Sequence, residues 1–258
     1  MHVQHMTVKE RETTTSRIAK QKMLESKICM ALDGLTVEKS LELTVTLAPW
    51  LYAVKIHDLY DDQGPSIIGD LRRAGAKRVW IDAKLHDTPD TVAARARALV
   101  RNGASIITVH ASGGIPMMKA AVDAVFTDCG RAAEIWAITI LTSLDPKEIA
   151  RIYGADRTPN QIVLDLALMA KEANVNGIVC SAQEVGMLRQ HPDLSGMVFT
   201  VPGTRSVGVA TGQQKRSGTP AQAITDGATY LVAGSQVTKA KDPVAAFRAM
   251  ATEIGMEI

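Results

Sequence analysis

Residues 78–111 read "RVWIDAKLHDTPDTVAARARALVRNGASIITVHA" and contain a complete strand–helix–strand unit. The runs 78–84 and 105–111 are short, apolar and rich in β-branched residues, as strands buried on both faces are. Between them, residues 90–102 are amphipathic and stop before Gly103, as a helix with a glycine after its last turn does. The stretch therefore predicts one βαβ unit of a parallel sheet.

The same alternation extends along the chain in both directions. The candidate strands are residues 28–33, 52–57, 78–84, 105–111, 135–141, 177–182, 197–201 and 230–234. Helix-like stretches separate them, and "DPVAAFRAMATEI" (242–254) follows the last one. Eight βα units in about 230 residues predict an α/β protein of the (β/α)8, or TIM-barrel, class. A doubly wound open sheet is the alternative, but the number of units favours closure.

Composition limits the domain organisation and the partners. The first residues are polar and aperiodic, so we expect a peripheral arm (1–25) followed by a single barrel domain (26–258). A formal net charge of +2 with only three Trp, four Tyr and three Phe argues against a nucleic-acid surface. The chain has neither a long apolar run nor a secretory signal, and its three cysteines lack paired metal spacing. We therefore expect a cytoplasmic protein with reduced thiols, without metal or membrane span.

Charged side chains gather where the predicted strands end, which is where TIM-barrel enzymes carry their chemistry. Asp82 and Lys84 alternate with apolar neighbours and should point to one face of the third strand. Lys55 and Asp33 end the second and first strands. Because a buried charge costs several kcal/mol unless it is paired, we expect these four residues to form an alternating chain of acids and bases. Two roles fit this chain: a structural ion-pair network at the barrel mouth, or a catalytic site.

The motifs at the strand ends, taken in order, resemble one family. They are ALDG (31–34), VKIH (54–57), IDAKLHDTPDTV (81–92), VHASGG (109–114), ILTS (140–143), VPGTR (201–205) and GSQVTKAKDP (234–243). Over about residues 28–250 the chain strongly resembles the orotidine 5′-phosphate decarboxylases. The resemblance implies decarboxylation of orotidine 5′-phosphate to UMP in de novo pyrimidine biosynthesis, without cofactor or metal. Related sugar-phosphate decarboxylases share D-x-K-x-x-D but resemble this chain less at Lys55, where they have an acidic residue that helps to hold magnesium.

The resemblance also implies catalytic roles. Loss of carbon dioxide from C6 of the pyrimidine leaves a carbanion in the ring plane, so a cation beside that carbon stabilises it and can deliver a proton. Lys84 matches the family's proton donor, and Asp82 matches the carboxylate beside the departing carboxyl group. Asp87 matches a second carboxylate that enters the neighbouring subunit's site together with Thr91. A homodimer is therefore implied.

The substrate-binding residues are implied in the same way. Asp33 and Lys55 match the residues that hold the ribose hydroxyls, and Lys55 also tethers the chain of acids. Thr142 and Ser143 match the pair that contacts the base. We interpret the strand-end histidines differently, as hydrogen-bonded structural residues; these are His57, His86 and His110.

The phosphate side of the predicted pocket follows the seventh and eighth strands. Pro202 belongs to the VPGTR motif, and Arg205 and Gln214 match ligands that flank a closing loop, residues 206–214. Gly234 and Ser235 follow the eighth strand, where their backbone N–H groups could cradle a phosphate.

Two positions depart from the family pattern. Ser235 stands where the family has an arginine that grips the phosphate, and Thr88 stands where isoleucine is usual. Arg205, Lys215 or Arg216 could compensate for the missing guanidinium. Two alternatives to the decarboxylase therefore stay open: a divergent enzyme with another substrate, and a catalytically silent nucleotide-binding protein. The intact set of Asp82, Lys84 and Asp87 argues against the second alternative.

Overall fold

A computed structural model of the chain describes residues 26–130, 133–154, 156–209 and 218–258. Within these ranges, eight parallel strands form a closed barrel in which each strand pairs with the next and β8 pairs with β1. The strands are β1 (Ile28–Ala31), β2 (Ala53–Ile56), β3 (Val79–Leu85), β4 (Ile106–His110), β5 (Glu134–Ile138), β6 (Gly177–Val179), β7 (Val198–Pro202) and β8 (Tyr230–Ala233). The predicted (β/α)8 barrel is confirmed, and the open sheet is wrong. The predicted arm, residues 1–25, lies outside the described residues, so the division into arm and barrel domain stays a prediction.

The helices surround the barrel and connect its strands. Those of the described ranges are α1 (Val37–Leu47), α2 (Asp58–Gln63), α3 (Ser66–Arg73), α4 (Pro89–Arg101), α5 (Gly114–Cys129), α6 (Pro146–Tyr153), α7 (Pro159–Glu172), α8 (Val185–Gln190), α9 (Pro220–Thr225), α10 (Ser235–Thr238) and α11 (Pro243–Glu253). In this part of the chain, no helix combines the length and apolar character needed to cross a membrane.

Local sequence explains where many of these helices begin. The helices α4, α6, α7, α9 and α11 start at a Thr-Pro or Asp-Pro dipeptide. Proline suits the first helical position because the N–H group there has no intrahelical acceptor. In all of these except α4, the preceding Thr or Asp side chain accepts a hydrogen bond from the first turn. The helix predicted at 90–102 is α4, and Gly103 follows it with φ +101°.

Large aromatic side chains fill the interior of the barrel towards the strand starts. The buried rings of Trp80 and Trp136 pack edge to face with centroids 4.9 Å apart. At the level where the strands begin, Arg78 forms an ion pair with Glu134, which also accepts a hydrogen bond from Trp136 Nε1 at 2.8 Å. The Arg78 guanidinium lies 4.7 Å from the centroid of the Tyr52 ring. This packing fills the amino-terminal end, so a ligand-sized space is left at the carboxyl ends of the strands.

Candidate active site

A cavity of about 270 Å³ lies at the carboxyl ends of the strands. Its walls include the ends of β1, β2, β3 and β5 to β8 and the segments that follow them. The sequence-predicted site residues that line it are Asp33, Lys55, Asp82, Lys84, Thr142, Pro202, Arg205, Gly234 and Ser235. The barrel therefore brings together side chains that are up to about 200 positions apart along the chain.

The charged residues of the first three strands form the predicted alternating chain. Lys55 Nζ lies 2.7 Å from Asp33 Oδ2 and 3.0 Å from Asp82 Oδ2, and Lys84 Nζ lies 2.6 Å from the same Asp82 oxygen. The side chains of Lys55 and Asp82 are buried, at 8% and 9% exposure, whereas that of Lys84 is 33% exposed. Lys55 thus joins two carboxylates inside the protein. Lys84 is the last residue of this series of charges, and its side chain reaches into the cavity.

Electrostatics fixes the charge of the buried pair. Burial alone would raise the pKa of Asp82, but the ammonium groups of Lys55 and Lys84 outweigh it, and the pKa of Asp82 lies well below its usual range. Burial alone would lower the pKa of Lys55, but the carboxylates of Asp82 and Asp33 outweigh it and raise this pKa. Both groups are therefore charged at neutral pH, and the cavity holds a preformed electric field.

Thr108 is a site residue that the sequence reasoning missed. Its hydroxyl donates to Asp82 Oδ1 at 2.8 Å and accepts a hydrogen bond from the backbone N–H of Lys84 at 3.0 Å. The residue is completely buried on β4. A signal was present, because a lone polar residue interrupts the apolar run of β4 at a position where buried hydroxyls need partners. One hydroxyl thus fixes both the Asp82 carboxylate and the backbone of Lys84.

The backbone at Lys84 is unusual. The pairing of β3 with β4 shifts register between Ile81 and Leu85, and Lys84 has φ +46° within this bulge. The left-handed region costs a residue other than glycine about 1–2 kcal/mol, and it persists only where the surroundings enforce it. Bulges commonly re-aim a side chain beside an active site. Here the bulge directs both Asp82 and Lys84 into the cavity.

The residues predicted to cross a subunit interface lie elsewhere on the surface. Asp87 and Thr91 are exposed, after β3 and in the first turn of α4, and neither is among the described residues that line the cavity of their own chain. Asp87 Oδ1 accepts a hydrogen bond from the backbone N–H of Thr88 at 2.6 Å, and the hydroxyls of Thr88 and Thr91 lie 3.0 Å apart. Their role in a partner's site stays a prediction.

Two other predicted residues are not part of the described cavity wall. Ser143 is exposed and lies beside Thr142, but of the two only Thr142 lines the cavity within the described residues. Gln214, with Lys215 and Arg216, lies outside the described residues. Their predicted contacts with a ligand stay predictions.

Arg205 and Ser235 meet in the cavity wall, on the side that the sequence predicts to bind the phosphate. Arg205 Nη2 donates to Ser235 Oγ at 3.0 Å, and burial lowers the pKa of Arg205 from its usual value. The next residue, Ser206, is fixed by Gln236, whose side-chain oxygen accepts from the Ser206 N–H at 3.0 Å and whose Nε2 donates to the Ser206 hydroxyl at 2.7 Å. A guanidinium therefore already lies beside the position where the family's arginine is replaced by serine.

The strand-end histidines have different surroundings. His110 is partly buried and its ring lies 5.5 Å from that of the exposed His86. Burial lowers the pKa of His110, the charges of His86 and Lys84 lower it further, and Asp82 opposes them. His57 Nδ1 lies 2.8 Å from the backbone oxygen of Asp82. The hydrogen bond expected for His57 is thus present, and the interpretation of the three histidines as structural residues stays a prediction.

No group of three or more His, Cys, Asp or Glu side chains is arranged to hold a metal ion in the described part of the chain. The carboxylates of the cavity, Asp33 and Asp82, are instead held by lysines. The arrangement can place an ammonium and a carboxylate side by side against a bound molecule, where the ammonium can stabilise developing negative charge and supply a proton.

Comparison with known proteins identifies the family. The model of the "Orotidine 5'-phosphate decarboxylase / HUMPS family" matches residues 26–250. The orotidine 5′-phosphate decarboxylase of Moorella thermoacetica is 39% identical over 237 residues, which are 90% of this chain and 93% of that protein. The enzyme of the same name from Marinomonas sp. is 37% identical, over 90% of this chain and 98% of that protein. The crystal structure of orotidine 5′-phosphate decarboxylase from Lactobacillus acidophilus superimposes with a TM-score of 0.74 at 29% identity, over 89% of this chain and 99% of that one. The chain therefore belongs to the orotidine 5′-phosphate decarboxylase / HUMPS family.

Proposed function

We propose that this protein decarboxylates orotidine 5′-phosphate to UMP in pyrimidine biosynthesis, with Lys84 as the proton donor. The family membership and the relatives named orotidine 5′-phosphate decarboxylase support this reaction. The observation that carries the role of Lys84 is the position of its ammonium, 2.6 Å from Asp82 Oδ2 and accessible from the cavity.

The chemistry needs both members of this pair. The bond from C6 to the carboxylate breaks, carbon dioxide leaves, and the electron pair stays on C6 until a proton replaces the lost group. A preformed ammonium beside C6 stabilises that electron pair and donates the proton. Asp82 fixes the position of the ammonium and stands where the departing carboxylate would meet a like charge.

Lys55 favours the orotidylate reaction over that of the related sugar-phosphate decarboxylases. A resemblance to those enzymes would imply an acidic residue at this position that helps to hold magnesium. In this chain, Lys55 Nζ bridges Asp33 and Asp82 at 2.7 and 3.0 Å. An ammonium between these carboxylates competes with a cation for the same oxygens, so we propose that turnover requires no metal.

A spectrophotometric assay tests the proposal directly. We expect the purified protein to convert orotidine 5′-phosphate to UMP at an unchanged rate in excess chelator, and Lys84→Ala to lose activity by at least about a thousandfold. Lys119→Ala is the matched control, because this exposed lysine on α5 forms a surface ion pair with Asp123 at 3.5 Å and is not among the described residues that line the cavity. Full activity in Lys84→Ala, or loss of activity with chelator, would contradict the mechanism.

We further propose a homodimer in which Asp87 and Thr91 enter the partner's site. Their exposure, and their place directly after the catalytic strand, support this arrangement. Complementation tests it: Lys84→Ala and Asp87→Ala chains are each inactive, but a mixed dimer contains one site with both side chains intact. Random mixing should restore up to about a quarter of wild-type activity. If each site takes both residues from one chain, mixing restores nothing.

We also propose a cytoplasmic location. Cys29 and Cys180 are buried thiols, which supports the proposed cytoplasmic location, where cysteines stay reduced. A divergent or silent protein is not favoured, because the Lys84–Asp82 pair is intact and the named relatives are orotidine 5′-phosphate decarboxylases.

A further inference from the structure

The backbone carbonyl of Asp82 lies just beyond the last position at which β2 and β3 pair. The register between β2 and β3 ends with Ile56 opposite Ile81, and the bulge between β3 and β4 begins at the same point. Asp82 is nevertheless buried, at 7% exposure, so its carbonyl needs another donor. Lys84 Nζ lies 3.5 Å from this oxygen, at the outer limit of a hydrogen bond, and a closer donor comes from the end of β2.

His57 supplies it. Its Nδ1 lies 2.8 Å from the Asp82 oxygen, and because a carbonyl oxygen can only accept, Nδ1 must carry the proton. The imidazole approaches from outside the barrel, where His57, Ala83 and Arg95 border a small cavity of about 110 Å³ between β3 and α4. It does not line the substrate cavity, among the residues described there.

Two side chains, through three hydrogen bonds, therefore hold the bulge from opposite sides. Thr108 binds the Asp82 carboxylate and the Lys84 N–H from inside the barrel, and His57 binds the Asp82 carbonyl from outside. The backbone of Lys84, at φ +46°, is only two residues from the carbonyl that His57 holds. A rotation of the peptide after Asp82 would move both charged side chains relative to the cavity.

We infer that His57 is a positioning residue for the reaction: its Nδ1–H fixes the bulge that directs Asp82 and Lys84 at the substrate. It touches neither the cavity nor the two side chains, and it acts through the Asp82 carbonyl alone. This inference rests on the proposed function for its kinetic consequence, but the hydrogen bond itself does not depend on it.

Two variants of similar size separate hydrogen bonding from packing. In His57→Asn, the side-chain Nδ2 stands the same number of bonds from the backbone as the imidazole Nδ1 and can donate to the same carbonyl. In His57→Leu, a methyl group occupies that place and donates nothing. We expect the Leu variant to lose about three- to tenfold in kcat with an unchanged KM, the effect of one net hydrogen bond. The Asn variant should keep most of the wild-type kcat.

The outcomes decide between the roles. A Leu variant with wild-type kcat, a loss that is equal in the Leu and Asn variants, or a change in KM alone would overturn the inference. Nitrogen NMR of ¹⁵N-histidine-labelled protein without substrate gives a readout that does not need activity, and it should show the neutral His57 ring protonated on Nδ1. If that signal is present but the wild-type protein leaves orotidine 5′-phosphate unchanged, the proposed function fails while the hydrogen bond stands. A ring protonated only on Nε2 refutes the inference whatever the activity.

Discussion

Thr108→Val is the substitution that tests most directly how the charged pair is held. Valine has nearly the shape of threonine, so the completely buried site keeps its packing and loses only a hydroxyl. That hydroxyl makes two contacts, as donor to Asp82 Oδ1 at 2.8 Å and as acceptor from the Lys84 N–H at 3.0 Å. The variant therefore removes two constraints on the bulge while leaving every charge in place.

The expected magnitude follows from these contacts. A hydrogen bond to a charged group contributes about 1.5–3 kcal/mol, and an unpaired buried N–H costs about 1–3 kcal/mol. The same hydroxyl makes both contacts, and its hydrogen bond with the Lys84 N–H is only partly buried, so the two costs do not add in full. We therefore expect the free energy of unfolding to fall by about 3 kcal/mol. The loss of alignment should lower kcat by about ten- to a hundredfold, since small misplacements of reacting groups are costly.

Thr108→Ser is the matched control. Serine keeps the hydroxyl and removes one methyl group, at a cost of about 1 kcal/mol. Urea unfolding should therefore place the Val variant about 2 kcal/mol below the Ser variant, and steady-state assays should show the large loss of kcat only for Val. If the Val and Ser variants have the same free energy of unfolding and the same kcat, the Thr108 hydroxyl does not organise the site.

Three further predictions concern the phosphate side and the pH dependence. Arg205→Ala should raise KM for orotidine 5′-phosphate by at least about tenfold, yet leave the slow turnover of orotidine, which has no phosphate, unchanged in the same assay. Ser235→Arg should lower this KM. It should also lower the Tm of the ligand-free protein, because the new guanidinium would lie beside that of Arg205, whose Nη2 is 3.0 Å from Ser235 Oγ. Added UMP should restore the Tm. Because the pKa of Asp82 is depressed in the folded chain, its stabilisation is present above the ordinary carboxyl pKa of about 3.9 and is lost as pH falls below it. Urea unfolding at a series of pH values should thus show the free energy of unfolding decreasing as pH falls below about 3.9, and Asp82→Asn should reduce that slope by up to about 1.4 kcal/mol per pH unit. An unchanged slope would contradict the depressed pKa of Asp82.

The strands could be predicted from sequence because each is a local apolar run. Their ends could not, since a strand ends where its neighbour stops pairing. The run 28–33 predicted a strand that includes Asp33, but β1 ends at Ala31, and the run 135–141 contains only part of β5. Part of the cavity wall lies in these extra residues, since Asp33 after β1 and Ile140 and Leu141 after β5 line the cavity, whereas Lys55, Asp82 and Lys84 lie within their strands.

The chain of charges was also predictable, but the means of holding it was not. Simple alternation placed Asp82 and Lys84 on one face, and both do line the cavity. Strict alternation does not predict the bulge, however, or the positive φ of Lys84, whose backbone N–H donates to the Thr108 hydroxyl on β4. Thr108 and His57 are 26 and 25 residues from Asp82, and nothing local to β3 indicates them.

The sequence left two alternatives for the charged residues, a structural ion-pair network and a catalytic site. Under the proposed function, Lys55 has the structural role and Lys84 the catalytic one. Lys55 is buried, bridges two carboxylates and offsets the cost of burying Asp82, as a structural ion pair does. Lys84 is not needed for that purpose, because Lys55 and Thr108 already satisfy Asp82 on both oxygens. A purely structural network would have no reason to hold a lysine in left-handed backbone with a third of its side chain exposed to a cavity. The positive φ of Lys84 is therefore a feature that a structural ion-pair network does not require, and it agrees with the proposed role of Lys84 as proton donor.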